Sequence, residues 1–398
     1  MSEKVWIAGG GVISGIGLDI PACIQSFRDM KPGMTAMQHL SSVHHNTFPV
    51  AEVKADNATL AEMARMPENI SRTALLSMIA AREAWQSSGL GDISRYRVGF
   101  VSGNTVGGMD KTEDFFATYL SNPRGGRLQN LVHHECGSIT ELVADSLGVR
   151  HHISTISTAC SSGANALMYG SRLIRNNIVD VVIAGGTDAL TRFTLNGFNT
   201  LMILDQQPCR PFDDTRTGLN LGEGAGYVVL VSDSLAAGLQ PWCRFSGFAN
   251  ANDAFHQTAS SPDGTGNYLA MKGALDMSGL QPQQIGYINL HGTGTQNNDV
   301  SEGIAINRLF APHFPAMSST KSFTGHTLGA SGGIEAVFSA LAVKEGIIYP
   351  NARFEHQMKE LPFAPVTAFS AGHDLQHVMS NSFGFGGNCS SLVFSRAS

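Results

Sequence analysis

Two α/β halves, each built on a covered sheet, are the architecture this sequence predicts. Strand-like apolar segments alternate with helix-periodic segments, and the alternation runs twice along the chain. One segment, Asp180-Val181-Val182-Ile183-Ala184-Gly185-Gly186, is continuously apolar after its first residue, the pattern of a strand buried on both faces. The length of 398 residues exceeds a single typical domain.

Composition narrows the class. The chain is 42% hydrophobic and 15% charged, which describes a globular protein with a sizeable core. A net charge of −6 and the lack of a basic tract exclude a nucleic-acid binder. Six cysteines (Cys23, Cys136, Cys160, Cys209, Cys243, Cys389) form no CxxC pair, so reduced thiols are expected rather than a disulfide framework or zinc ribbon. Met1-Ser2-Glu3-Lys4-Val5 leads straight into a strand, without a signal-peptide pattern. No apolar run approaches the roughly 18 residues of a membrane span. A soluble cytoplasmic protein without membrane insertion is the expectation.

Taken in order, Val5-Trp6-Ile7-Ala8 reads as a buried strand running into a glycine turn at Gly9-Gly10-Gly11. Those glycines nearly fit the dinucleotide fingerprint, but Ser14 stands where its third glycine belongs. A tight strand-to-helix turn is preferred to NAD binding. A helix is predicted over 20–29, and residues 31–56 look irregular. Residues 71–88, rich in Ala, Leu and Met and closed by Gly89, predict a second helix. A strand over 97–101 leads into the loop from Ser102 to Gly108. The cluster His133-His134-Glu135-Cys136 follows a polar loop at 122–127. Neighbours on a helix point in different directions and no helical i,i+4 His pair supports the cluster, so a metal site is not expected there or at His44-His45 and His151-His152.

After the strand at 180–186 come Arg210-Pro211-Phe212-Asp213, Gly222-Glu223-Gly224-Ala225-Gly226 and an apolar run at 227–231. Character changes over 233–242, which divides the chain into halves 1–238 and 239–398. The second half predicts a helix over 267–278, then a strand over 285–290 delivering His291-Gly292-Thr293-Gly294-Thr295. A helix over 301–310 and a strand over 316–319 precede Lys321-Ser322-Phe323-Thr324-Gly325-His326. In the next helix Ile334, Val337, Phe338, Leu341 and Ala342 share one face. Gly329-Ala330-Ser331-Gly332-Gly333 fits the hydrolase pattern G-x-S-x-G, but a glycine-broken loop precedes it where that motif needs a strand. Ser331 is therefore expected to start a helix. Asn381 to Asn388 reads as a glycine-rich loop before a strand over 390–395.

Ser157-Thr158-Ala159-Cys160-Ser161-Ser162-Gly163 lies between a strand over 151–156 and a helix over 161–176. Cys160 thus sits at a strand-to-helix turn, where free N–H groups and the helix dipole lower a thiol's pKa. Small neighbours leave room for a substrate carbonyl. The turn alone does not choose between a nucleophile and a buried, inert thiol.

With His291 and His326 in glycine-rich loops, this arrangement implies acyl chemistry on a thioester. Four motifs, TACSSG, HGTGT, KSFTGHTLGASGG and NSFGFGG, occur in the order seen in the β-ketoacyl-acyl carrier protein synthases, and the chain resembles that family over almost its whole length. The resemblance implies a thiolase-like, duplicated αβαβα layered fold with two mixed sheets. It implies a Cys160-His291-His326 triad supported by Lys321 and Glu335, with the N–H groups of Cys160 and Phe385 as oxyanion hole. Thr293, Thr295 and Thr258 are implied contacts to the phosphopantetheine arm, Phe385 a gate, and Val106 and Phe198 acyl-pocket residues. Packed core aromatics are the alternative for Phe385 and Phe198. The implied reaction is decarboxylating condensation of an acyl group on Cys160 with malonyl-acyl carrier protein. It needs no metal and no cofactor beyond the phosphopantetheine arm that the acyl carrier protein delivers.

Two departures stand out. Asn388-Cys389 follows Gly387 where the family reads Thr-Asn. The segment Arg65-Met66-Pro67-Glu68-Asn69-Ile70-Ser71-Arg72 carries two basic residues where housekeeping elongation enzymes carry more. Weaker steering of an acidic carrier is expected, and with it a pathway-dedicated acyl carrier protein, as for polyene or polyketide-like pigments. A homodimer is the default, with a heterodimer containing a chain-length-factor-like subunit as the alternative. A non-decarboxylating thiolase using Cys389, or a partner subunit that only shapes the acyl pocket, are the rival functions.

Overall fold

The computed structural model describes residues 3–397; Met1 and Ser2 of the predicted N-terminal lead-in, and Ser398, lie outside the described residues. The strands are β1 (Val5–Ser14), β2 (Val98–Gly103), β3 (His152–Ile156), β4 (Val181–Asp188), β5 (Gly224–Ser232), β6 (Cys243–Asn252), β7 (Tyr287–Asn289), β8 (Ala316–Ser318), β9 (His377–Gly384) and β10 (Asn388–Ser395). They run β3-β2-β4-β5-β1-β6-β10-β9-β7-β8. The order from β6 onward repeats that of β1 to β5 in mirror sequence. The directions repeat too: β2 pairs parallel with β3 and β4, and β7 pairs parallel with β8 and β9, while the other pairings are antiparallel. Duplication is therefore visible in the topology. The two mixed five-stranded sheets meet edge to edge through only Trp6 opposite Arg244 and Ile7 opposite Cys243, and so count as one ten-stranded sheet.

Alternation along the strands sorts the side chains into layers. Val182, Ala184, Val228 and Leu230 face a central core shared with the second half, whereas Val181, Ile183, Val229 and Val231 face an outer core. The Arg72–Ser87 helix covers the outer face of β1, β4 and β5, and the Thr265–Ser278 helix covers β6 and β10. The Ser162–Arg175 and Ser331–Glu345 helices lie between the half-sheets, the second touching β4, β5 and β9. This explains why the one-faced pattern expected for Ser331–Glu345 is not realised: every residue from Ser331 to Val343 is buried. The two central helices start almost in backbone contact. A Cβ on Gly163 would fall 2.5 Å from the Gly333 nitrogen, so any side chain there would push the motif helices apart.

Several expectations need correcting. Gly9, Gly10 and Gly11 lie inside β1, not in a turn after it. A Cβ on Gly11 would lie 2.2 Å from the Ala80 carbonyl oxygen, so the glycines let the Arg72–Ser87 helix sit on the strand. Asn381 to Gly384 ends β9, and Phe385-Gly386-Gly387 is the turn of a hairpin into β10, where a loop was expected. The Gln296–Phe310 helix begins earlier than Ser301, because Thr295 already has the extended backbone of a cap. Strand β6 and the Met109–Ser121 and Arg192–Thr200 helices had no clear sequence pattern. Among the described residues, no helix is long and apolar enough to cross a membrane.

Candidate active site

The turn predicted around Cys160 is present and strained. Ala159 has φ of 53°, a left-handed conformation that costs a residue with a Cβ roughly 1–2 kcal/mol. Ser162 clamps it: its Oγ accepts the Thr158 N–H at 2.9 Å and donates to the Ala159 carbonyl at 2.6 Å. Cys160 is thereby held at the inner end of a cavity of about 370 Å³.

His326 is brought to it by the chain after the short Lys321–Thr324 helix, with Nε2 3.1 Å from Cys160 Sγ. Its other nitrogen is informative. The Leu328 N–H donates to His326 Nδ1 at 3.1 Å, with the Ser331 hydroxyl at the same distance. An Nδ1 that accepts carries no proton, so the neutral ring bears its hydrogen on Nε2, facing the cavity. His291, at the end of β7, shows the same polarity. Lys321 Nζ lies 3.2 Å from His291 Nδ1, and a lysine ammonium can only donate. The imidazoles stand edge to face with centroids 5.5 Å apart.

Behind them Lys321 and Glu335 form a fully buried ion pair. Burial raises the Glu335 carboxyl to about 7, with the Lys321 charge acting in the opposite direction. Burial, and then the Lys321 charge, lower both histidines well below the ordinary range, which keeps them neutral. The expected depressed thiol is not observed. Burial pushes Cys160 up to about 11, and the Phe385 N–H and Lys321 only partly offset it. Desolvation outweighs the helix terminus.

Phe385 sits at the hairpin turn, stacked on Phe198 with centroids 5.7 Å apart and planes 18° apart. Phe198 also meets the edge of His326 at 6.5 Å. Thr258, Thr293 and Thr295 line the outer part of the same cavity, with the last two hydroxyls 3.0 Å apart. Val106 does not line it. That side chain is buried in a neighbouring apolar cluster with Leu190, Leu195 and Leu219, which Phe198 flanks.

Sequence reasoning missed the carboxylates that hold these loops. Glu302 accepts the N–H groups of His291 and Gly292, and Asp299, one turn earlier on the same helix, accepts that of Thr293 at 3.1 Å. Two acids at i,i+3 directly after a glycine-rich loop were the available sign. Asp188 likewise gathers the N–H groups of Thr105, Val106 and Gly329 with 2.7–3.0 Å bonds. Nothing in the sequence near Asp188 pointed to that role.

The rival features are placed elsewhere. Cys389 borders the cavity, but its Sγ is bonded to Asn267 Oδ1 at 3.2 Å and burial raises it to about 12. Ser331 begins a helix after a 3-10 turn, not after a strand. His134 bonds Thr112 at 2.9 Å, and among the described residues Cys160, His291 and His326 alone form a trio with metal-ligand spacing. Arg72 is not a surface residue: it is buried against Glu223, leaving Arg65 as the exposed base of that segment.

A duplicated thiolase-like fold with a cysteine and two neutral histidines at its centre defines a condensing acyltransferase. The family description "Beta-ketoacyl synthase, N-terminal domain" matches residues 2–236, and "Beta-ketoacyl synthase, C-terminal domain" matches 242–355. The chain belongs to the β-ketoacyl synthase family. It is 31% identical over 409 aligned residues to 3-oxoacyl-[acyl-carrier-protein] synthase 2 of Staphylococcus aureus (strain N315), covering 99% of each. Among solved structures it is similar to the ishigamide ketosynthase/chain length factor, with TM-score 0.93, 27% identity and full coverage of both chains. It is also similar to a Xenorhabdus doucetiae ketosynthase in complex with its chain length factor, with TM-score 0.87, 30% identity, and 99% and 98% coverage.

Proposed function

We propose that Cys160 carries the acyl group and that His291 and His326 act as paired N–H donors in the decarboxylating condensation. Cys160 sulfur attacks an acyl thioester, and its proton leaves with the departing pantetheine thiol. The carbonyl oxygen becomes an oxyanion held by the N–H groups of Cys160 and Phe385. Malonyl-carrier protein then enters along Thr258, Thr293 and Thr295. Its thioester oxygen takes the two Nε2–H donors, its carboxylate departs as CO2, and the electron pair remains on the adjacent carbon. That carbon attacks the acyl carbonyl, the C–S bond to Cys160 breaks with its electron pair going to sulfur, the thiolate takes a proton from water, and the product is two carbons longer. Each donor to the developing charge is worth ~2.7–4 kcal/mol by analogy with oxyanion-hole deletions. The observation that carries this reading is that both Nδ1 atoms accept, at 3.1 and 3.2 Å, which puts both ring hydrogens on Nε2. Lys321 orients His291, and Glu335 neutralises Lys321.

The only cofactor in this reading is the carrier's phosphopantetheine arm. The carrier is a pathway-dedicated one, since burial of Arg72 leaves the segment before its helix with little positive surface. The exposed Phe116, Leu120, Leu128 and Val132 lie together in chain order near 109–132 and suit a second subunit. A chain-length-factor-like partner is favoured by the likeness to ketosynthase and chain length factor structures, and a homodimer is the other form. The assembly works in the cytoplasm.

Intact-protein mass spectrometry after mixing with acyl-carrier proteins tests the reading. An adduct absent from Cys160→Ala and discharged by malonyl-carrier protein is expected. An adduct that persists in Cys160→Ala overturns it, as does one that malonyl-carrier protein leaves in place.

A further inference from the structure

Cys160 Sγ, a His291 nitrogen and a His326 nitrogen lie within 4.8 Å of one another, all buried. One thiolate and two imidazoles are a zinc donor set, and three protein ligands with one open position are what a catalytic zinc site uses. We propose that Lys321 and the Leu328 backbone N–H exclude zinc-type cations from this trio by locking both imidazoles in the wrong tautomer. A metal needs the lone pair of Nε2, so the ring proton must move to Nδ1. A histidine ligand then donates that Nδ1–H to a carboxylate, carbonyl or water. Here Lys321 Nζ lies 3.2 Å from His291 Nδ1, and the Leu328 N–H donates to His326 Nδ1 at 3.1 Å, beside the Ser331 hydroxyl at the same distance.

Metal capture would require Cys160 to release its thiol proton to water and both rings to shift a proton from Nε2 to Nδ1. Each shifted proton would oppose an N–H at hydrogen-bond distance. The lock at His326 is built into the backbone. Thr327, at φ −87° and ψ 26°, turns the Leu328 N–H back onto the ring two residues earlier. The lock at His291 is a side chain and can be removed. Glu335, the partner of Lys321, would then offer a carboxylate in the same pocket, the partner a zinc-bound histidine prefers.

Titration with cobalt(II) and zinc, read by visible and near-ultraviolet absorption and by metal content after gel filtration, tests this without carrier or acyl substrate. Wild type is expected to show no thiolate-to-cobalt band. Lys321→Met is expected to bind about 10–100-fold more tightly, the range for changing the hydrogen-bond partner of a metal-bound histidine. Adding Cys160→Ser should abolish its band. Wild type binding cobalt through its thiolate as tightly as Lys321→Met overturns the proposal. Nitrogen-15 NMR of the wild-type histidines decides it independently of whether the variant folds. Both rings should be Nε2–H, and an Nδ1–H form at either His291 or His326 overturns the lock.

Discussion

Glu302 accepts the His291 N–H through Oε1 at 2.9 Å and the Gly292 N–H through Oε2 at 2.8 Å. Asn381 steadies the same carboxylate, donating to Oε1 at 3.1 Å. A buried acid, not the glycine content of the loop, fixes where His291 stands. Burial raises Glu302 to about 7. A carboxyl raised above its unfolded value binds its proton more tightly in the folded state. Its contribution to stability is full below the unfolded pKa near 4.3 and is lost as pH rises through about 7. Glu302→Gln cannot titrate, so the difference in urea midpoint between variant and wild type should change steadily from pH 5 to pH 8, favouring wild type more at the acid end. A difference independent of pH would refute this. Condensation should slow by about tenfold or more, since one misaligned donor costs that much.

The Cys160 thiol is raised to about 11 by burial. The thiolate is the reactive form, so alkylation by iodoacetamide should accelerate about tenfold per pH unit between pH 7 and 9. Stopped alkylation mapped by peptide mass spectrometry checks it. A plateau beginning near pH 7 would mean the helix terminus has overcome burial after all.

Much of this site could be read from the chain, and the reasons differ by residue. Cys160, His291, His326 and Lys321 stand in short motifs because their chemistry is local to a turn or loop. One partner that fixes these loops is distant in the chain: Asp188 is 141 residues from Gly329. Such contacts form only when the duplicated sheets close, so spacing alone does not reveal them. The thiol was misjudged for the same reason, because a strand-to-helix turn does not announce how deeply it will be buried. Helical periodicity likewise failed for Ser331–Glu345, which has no solvent face. Val106 is buried in the apolar cluster that Phe198 flanks.

Phe198 and Phe385 stack at 5.7 Å across the mouth of the route to Cys160. Removing one ring opens the passage and frees the other. Phe198→Ala should increase acylation by bulky or long acyl groups relative to short ones. It should also lower stability by the cost of losing a half-buried aromatic and its stacking partner, the latter about 0.5–1.5 kcal/mol. Competition between short and long acyl-carrier proteins, read as the ratio of adduct masses on Cys160, measures the first effect. An unchanged ratio would make Phe198 a packing residue only.

Arg72 and Glu223 form a buried pair at 2.6 Å, and Arg72 also donates to the Ala55 and Val53 carbonyls. Glu223 in turn accepts the Val53 and Leu190 N–H groups, so the pair ties four segments together. Arg72→Ala should destabilise the protein by about 3–5 kcal/mol, because it strands a buried carboxylate. Arg72→Met with Glu223→Gln should recover much of that loss by removing the uncompensated charge. Neither change should alter the KM for the carrier once folded protein is compared, since Arg72 has no surface to offer. Arg65→Glu, on the exposed cap of the preceding helix, should raise that KM and steepen nothing in the denaturation curve. A carrier KM that responds to Arg72 but not to Arg65 would reverse the assignment and return Arg72 to the docking surface.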